Sequence, residues 1–98
     1  MTKSGILTKI EKNQDTIKGL GVQRIAIFGS FVKNRQTKES DIDVLVEFRP
    51  GEKTFDNFME LRAFLSKLFG RKIDLVTLKA LKSRMRSMVL NQARYARL

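Results

Sequence analysis

Ile27-Phe28-Gly29-Ser30, followed after ten residues by Asp41-Ile42-Asp43-Val44-Leu45-Val46-Glu47-Phe48, is the stretch on which the reading of this chain turns. Its first part closes an apolar run, Val22-Gln23-Arg24-Ile25-Ala26-Ile27-Phe28, rich in β-branched residues. That run reads as a buried strand over 22–28. Gly29-Ser30 breaks it, and a short helix is expected from Ser30 to about Arg35. Residues 36–40 read as a loop, and residues 41–48 form the clearest strand in the chain.

Working outward, residues 4–19 predict a helix. Ser4 is placed as N-cap, Ile6, Ile10, Ile17 and Leu20 recur at roughly helical spacing, and Gly19 and Gly21 mark its end. Downstream, Arg49-Pro50-Gly51-Glu52-Lys53 reads as a turn. A second long helix follows over 54–69, with Phe55, Phe58, Met59, Leu61, Leu65 and Leu68 as its apolar face and Gly70 as its stop. Residues 72–76 give a third strand. Residues 83–95 give a last helix, with Met85, Met88, Val89, Gln92 and Tyr95 along one side. The order α-β-α-β-α-β-α predicts an α+β fold, a small mixed β-sheet with helices packed on it. A chain of 98 residues without a linker or repeat is expected to be one domain, 1–98.

Composition narrows the chemistry. The chain has no Cys and no His, which excludes disulfides, thiolate zinc sites and histidine general bases. Any metal would be a hard, oxygen-liganded ion, magnesium or manganese rather than zinc. No apolar run is long enough for a membrane span and no signal peptide is visible, so a cytoplasmic protein is expected. Twenty Lys plus Arg against ten Asp plus Glu give a net charge of +10. Such a field favours anionic partners, although a solvated lysine-rich surface accounts for much of it. Direct nucleic-acid binding is not expected, because neither an aromatic stacking platform nor a helix-turn-helix is present.

Three features bear on function. Gly29-Ser30 after a buried strand would let a phosphate approach the backbone, with the N-terminus of a following helix aimed at it; a simple Gly-Ser turn is the plainer explanation. Asp41 and Asp43, two apart on a strand, share one face, and the repulsion between them calls for a cation or a raised pKa. Both facing water is the alternative. Asp74 interrupts the apolar run Ile73-Asp74-Leu75-Val76 and either faces outward or completes a carboxylate triad, should its strand neighbour that of Asp43.

Together, Gly29-Ser30, Asp41-x-Asp43 and a third strand Asp resemble the nucleotidyltransferase superfamily of DNA polymerase β in its minimal (MNT) form. The resemblance implies that Gly29 and Ser30, with Lys33 and Ser40 nearby, hold nucleotide phosphates. It implies that Asp41, Asp43 and Asp74 bind magnesium, two ions or manganese in their place, and that Asp74 helps deprotonate the attacking hydroxyl. It further implies transfer of a nucleotide, AMP from ATP, to a hydroxyl of a HEPN-domain toxin, with this chain as antitoxin in a homo- or hetero-oligomer. The alternative is an antitoxin that neutralises its partner by binding alone. The sequence departs from the family after Gly-Ser. Phe31-Val32-Lys33-Asn34 stands where Arg and Gly are usual, so Lys33 keeps a charge without the bidentate fork, and Asn34 can tolerate a left-handed backbone in place of Gly, at some cost.

Overall fold

Alternation of side chains along two central strands builds the molecule. A computed structural model describes all of residues 1–98. Strand β1 (Val22–Phe28) pairs antiparallel with β2 (Ile42–Phe48), and β2 pairs parallel with β3 (Ile73–Val76). A two-residue strand β4 (Arg94–Tyr95) pairs antiparallel with β1, so the sheet order is β3-β2-β1-β4. One face carries Ile25, Ile27, Ile42, Val44, Val46, Ile73 and Leu75 into the main core. Helices α1 (Lys3–Lys12), α2 (Gln14–Gly19) and α3 (Phe55–Phe69) cover it with Ile6, Ile10, Ile17, Leu61, Leu65 and Phe69. The residues between them, including Ala26 and Leu45, point to the opposite face. There α4 (Ser83–Gln92) supplies Val89 to a smaller apolar cluster with Ala93.

The expected elements are present, with five corrections. The helix placed at 4–19 is two helices broken at Asn13, whose side-chain amide donates to the Lys9 carbonyl at 2.8 Å and so competes with the helical ladder. Its N-cap is Thr2 rather than Ser4, the Thr2 hydroxyl accepting from the Gly5 amide at 3.1 Å. The helix placed at 30–35 is only a 3-10 turn, Gly29–Phe31, and Asn34 leaves the helical region with φ at 58°. Asn34, a residue that tolerates the left-handed region, adopts it here. The last helix ends at Gln92 rather than at residue 95, because Ala93 turns extended and Arg94–Tyr95 cover the outer edge of β1. A 3-10 turn at Leu78–Ala80, absent from the expectation, is held by Arg86, whose Nε donates to the carbonyls of Leu78 and Leu81 at 2.9 and 3.0 Å.

Helix α3 keeps its expected place within a residue. Thr54 caps it, accepting from the Asn57 amide at 3.1 Å, and Gly70 ends it in the left-handed region with φ at 64°. Leu65 on this helix is fully buried against the sheet. A Leu65→Ala variant is expected to lose about 2–5 kcal/mol of stability, read as a lower midpoint in urea at unchanged slope.

Candidate functional site

The sheet register sets the site. Asp43 lies opposite Phe28 on one side and Asp74 on the other. Gly29 follows Phe28 directly, so Gly29, Asp43 and Asp74 form a row across three adjacent strands, on the face away from the main core. The parallel pairing of β2 and β3 is what brings Asp74 beside Asp43, an adjacency that sequence patterns do not reveal.

Gly29 is required for this arrangement. Its φ is +73°, and a Cβ there would collide with Oδ2 of Asp43 and lie 2.9 Å from its Cγ. The missing side chain lets the Asp43 carboxylate stand against the backbone of the turn.

The electrostatics of the row centre on Asp43. Its carboxyl is pushed up from the ordinary 3.8 to about 6, first by burial and then by the neighbouring Asp74, which repels its charge and shares a hydrogen bond with it. Asp41 adds repulsion through its charge alone, and a hydrogen bond from the backbone of Ser30 pulls the other way. The Ser30 turn is a 3-10 turn, Gly29–Phe31, rather than the start of the expected helix.

Beside the row, at the outer edge of β3, opens a cleft of about 330 Å³ lined by Asp41, Phe58, Arg62, Lys72, Ile73, Asp74 and Leu75. Asp41 and Asp74 therefore share one opening, and Asp43 joins them through Asp74. Lys33 is exposed on the loop after the Gly29 turn. The Ser40 hydroxyl is engaged within the loop, accepting from the Thr37 amide at 2.8 Å.

Arg71 emerges here without a signal in the sequence. Its Nη1 donates to the Thr37 and Ser40 carbonyls at 3.0 and 3.1 Å, and its guanidinium lies 5.3 Å from the Phe31 ring centre. It ties the loop that delivers Asp41 to the turn that holds Asp43. An Arg71→Ala variant is expected to loosen residues 37–41, with faster amide exchange at Ile42 and about 1–2 kcal/mol lost; Arg71→Lys restores little, because lysine lacks the fork.

As it stands the chain has no group of three or more Asp, Glu, His or Cys side chains disposed to hold a metal ion. The donor chemistry nevertheless suits a hard divalent cation. Only carboxylate oxygens are offered, and the raised Asp43 and its repulsion by Asp74 and Asp41 express an excess of negative charge that such a cation would relieve.

Comparison with known proteins gives this geometry a context. Residues 6–96 match the nucleotidyltransferase domain family. A Methanocaldococcus jannaschii relative, provisionally named a protein adenylyltransferase, is 44% identical over 61 residues, 61% of each chain. Protein adenylyltransferase MntA of Thermococcus cleftensis is 37% identical over 75 residues, covering 76% of this chain and 75% of that protein. A solved structure provisionally described as a minimal nucleotidyltransferase superposes with a TM-score of 0.82 at 29% identity, over 96% of this chain and 95% of the other. A toxin–antitoxin structure with AMP-PNP superposes with a TM-score of 0.71 at 28% identity, over 91% of this chain and 70% of the other. No helix of the chain is long and apolar enough to cross a membrane.

Proposed function

Because the chain belongs to the nucleotidyltransferase domain family, we propose that it transfers AMP from ATP to a hydroxyl of a partner protein. The reading takes residues 1–98 as one nucleotidyltransferase domain working in the cytoplasm, where ATP is supplied. The observation that carries it is the row Gly29–Asp43–Asp74, in which a glycine with no room for a side chain seats one carboxylate beside another. Relatives named as protein adenylyltransferases, and a toxin–antitoxin neighbour with a nucleotide analogue, support nucleotide transfer and a toxin as partner; in this reading the toxin is a HEPN-domain protein and this chain its antitoxin.

In this reading the Gly29–Ser30 turn and Lys33 receive the triphosphate, the small glycine giving the phosphates access to the backbone. The acceptor oxygen attacks the α-phosphorus and forms the new P–O bond. The bond from that phosphorus to the oxygen bridging to the β-phosphate breaks, and pyrophosphate leaves with the electron pair. Asp74, exposed at the end of the row, takes the acceptor's proton and passes it to water. Asp41, Asp43 and Asp74 would hold magnesium, which supplies charge neutralisation for the phosphates. Ser40 contributes by shaping the loop before Asp41.

The test incubates the purified chain with magnesium, α-labelled ATP and the protein encoded beside its gene, next to an Asp41→Ala, Asp43→Ala double variant. Label on the partner, lost in the variant, is expected. A stable complex without label would overturn the reading. The exposed Met85, Met88 and Leu90 of α4 favour the second reading, neutralisation by occlusion. Full neutralisation by the double variant would establish it.

A further inference from the structure

Transfer to a hydroxyl is an in-line displacement, so attacking and leaving oxygens lie on opposite sides of the phosphorus. In the sheet, Gly29 stands on the β1 side of Asp43 and Asp74 on the β3 side. Phosphates seated at the Gly29–Ser30 turn put the leaving pyrophosphate at the β1 end of the row. The acceptor oxygen then has to arrive from the β3 end. β3 is an outermost strand, and the 330 Å³ cleft opens at its free edge, with Asp74 and Asp41 on its wall.

The rest of that wall has a character of its own. Arg62, on α3, and Lys72, just before β3, are both exposed, and neither has an acidic partner; the one ion pair in the chain joins Arg24 to Glu47. Half-buried Phe58 packs against the main core and lines the same cleft. The volume is at the lower end of ligand pockets, which run from about 300 to 1,000 Å³. It admits a side chain and its immediate neighbours rather than a folded nucleic-acid strand.

We propose that the cleft walled by Phe58, Arg62, Lys72 and Asp74 is the acceptor subsite, and that it selects a protein hydroxyl flanked by acidic residues, whose carboxylates pair with Arg62 and Lys72. The inference rests on the transferase reading above and adds to it the chemistry of the acceptor. Arg62 and Lys72 are the specificity-determining residues, placed to hold the acceptor segment while Asp74 meets its hydroxyl. Opposite charge on the approaching segment speeds encounter and fixes its register, and like charge repels it.

The experiment uses the full chain with magnesium and α-labelled ATP. The probes are three tyrosine pentapeptides flanked by Glu, by Lys or by Gly and Ser, together with a short oligoribonucleotide and the partner protein of the transfer assay. The acidic peptide is expected to exceed the basic one at least tenfold in kcat/KM, chiefly through KM. Arg62→Glu with Lys72→Glu is expected to abolish or reverse that order, and Arg62→Gln with Lys72→Gln to flatten it; both positions are exposed, so folding is spared. Equal use of the acidic and basic peptides, or an order unmoved by the variants, overturns the subsite while leaving the transferase reading intact. So does label on the partner with none on any peptide, since recognition then lies outside the cleft. Preferential label on the oligoribonucleotide replaces the protein acceptor with a nucleic acid. No label on any acceptor overturns the transferase reading, and the subsite falls with it.

Discussion

The Asp43→Asn variant is expected to lose transfer by about a thousandfold and, in metal-free buffer at neutral pH, to be more stable than the parent. The two effects share one cause. The Asp43 carboxyl is held at about 6 by burial and by Asp74, above the 3.8 of the unfolded chain. Between roughly pH 4 and 6 the folded state therefore binds more proton than the unfolded state, and stability falls as pH rises through that window. Below it, where the group is protonated in both states, the penalty is absent. Above it, the folded state carries a charge that its surroundings disfavour. Asp43 is only half-buried, so solvent screening reduces the penalty to about 1 kcal/mol. Asparagine keeps the shape and can donate to Asp74 without the charge. Its melting temperature is expected to rise by about 4–8 °C at pH 7.5, with little difference from the parent at pH 4. A lower melting temperature at pH 7.5 would mean that the carboxylate is not strained in the folded chain.

Gly29→Ala is expected to damage stability and activity together. An alanine at φ +73° costs about 1–2 kcal/mol, and its Cβ must displace the Asp43 carboxylate against which it collides. A total loss of about 2–4 kcal/mol is expected in urea titration, with transfer falling nearly as far as in Asp43→Asn. Gly19 is the control, because a Cβ there meets nothing within 4 Å. Gly19→Ala should leave transfer untouched and move stability little. Equal activity in Gly29→Ala and the parent would show that the close approach of Gly29 to Asp43 is not needed.

Much of this was legible in the sequence because local pattern and global fold agree. The strands at 22–28 and 41–48 are strongly apolar and β-branched, and Thr54 and Gly70 bracket α3 with ordinary capping chemistry. Expectation failed where a local competitor or a distant partner decided the backbone. Asn13 breaks the first helix through its own side chain, and Asn34 ends the turn after Gly29 in a left-handed conformation. Arg94 and Tyr95 leave the helix to pair with β1, a contact between residues about seventy positions apart that no window of sequence displays. The site divides in the same way. Gly29, Asp41 and Asp43 stand close in sequence and were marked by spacing. The place of Asp74 depended on β2 and β3 running parallel, and Arg71 acts through backbone carbonyls, which carry no sequence signature. Ser40 is expected at the nucleotide from the resemblance alone, and in the structure its hydroxyl also accepts from the Thr37 amide within the loop.

The central claim is that the Gly29–Asp43–Asp74 row moves a nucleotide and not a phosphate. The most direct measurement runs parallel reactions with α-labelled and γ-labelled ATP, magnesium and the partner protein, each beside the Asp43→Asn variant. Expected are α-label bound to the partner, γ-label recovered only as pyrophosphate, and neither label transferred by the variant. Label from the γ-position on the partner, or α-label that persists in Asp43→Asn, would contradict it.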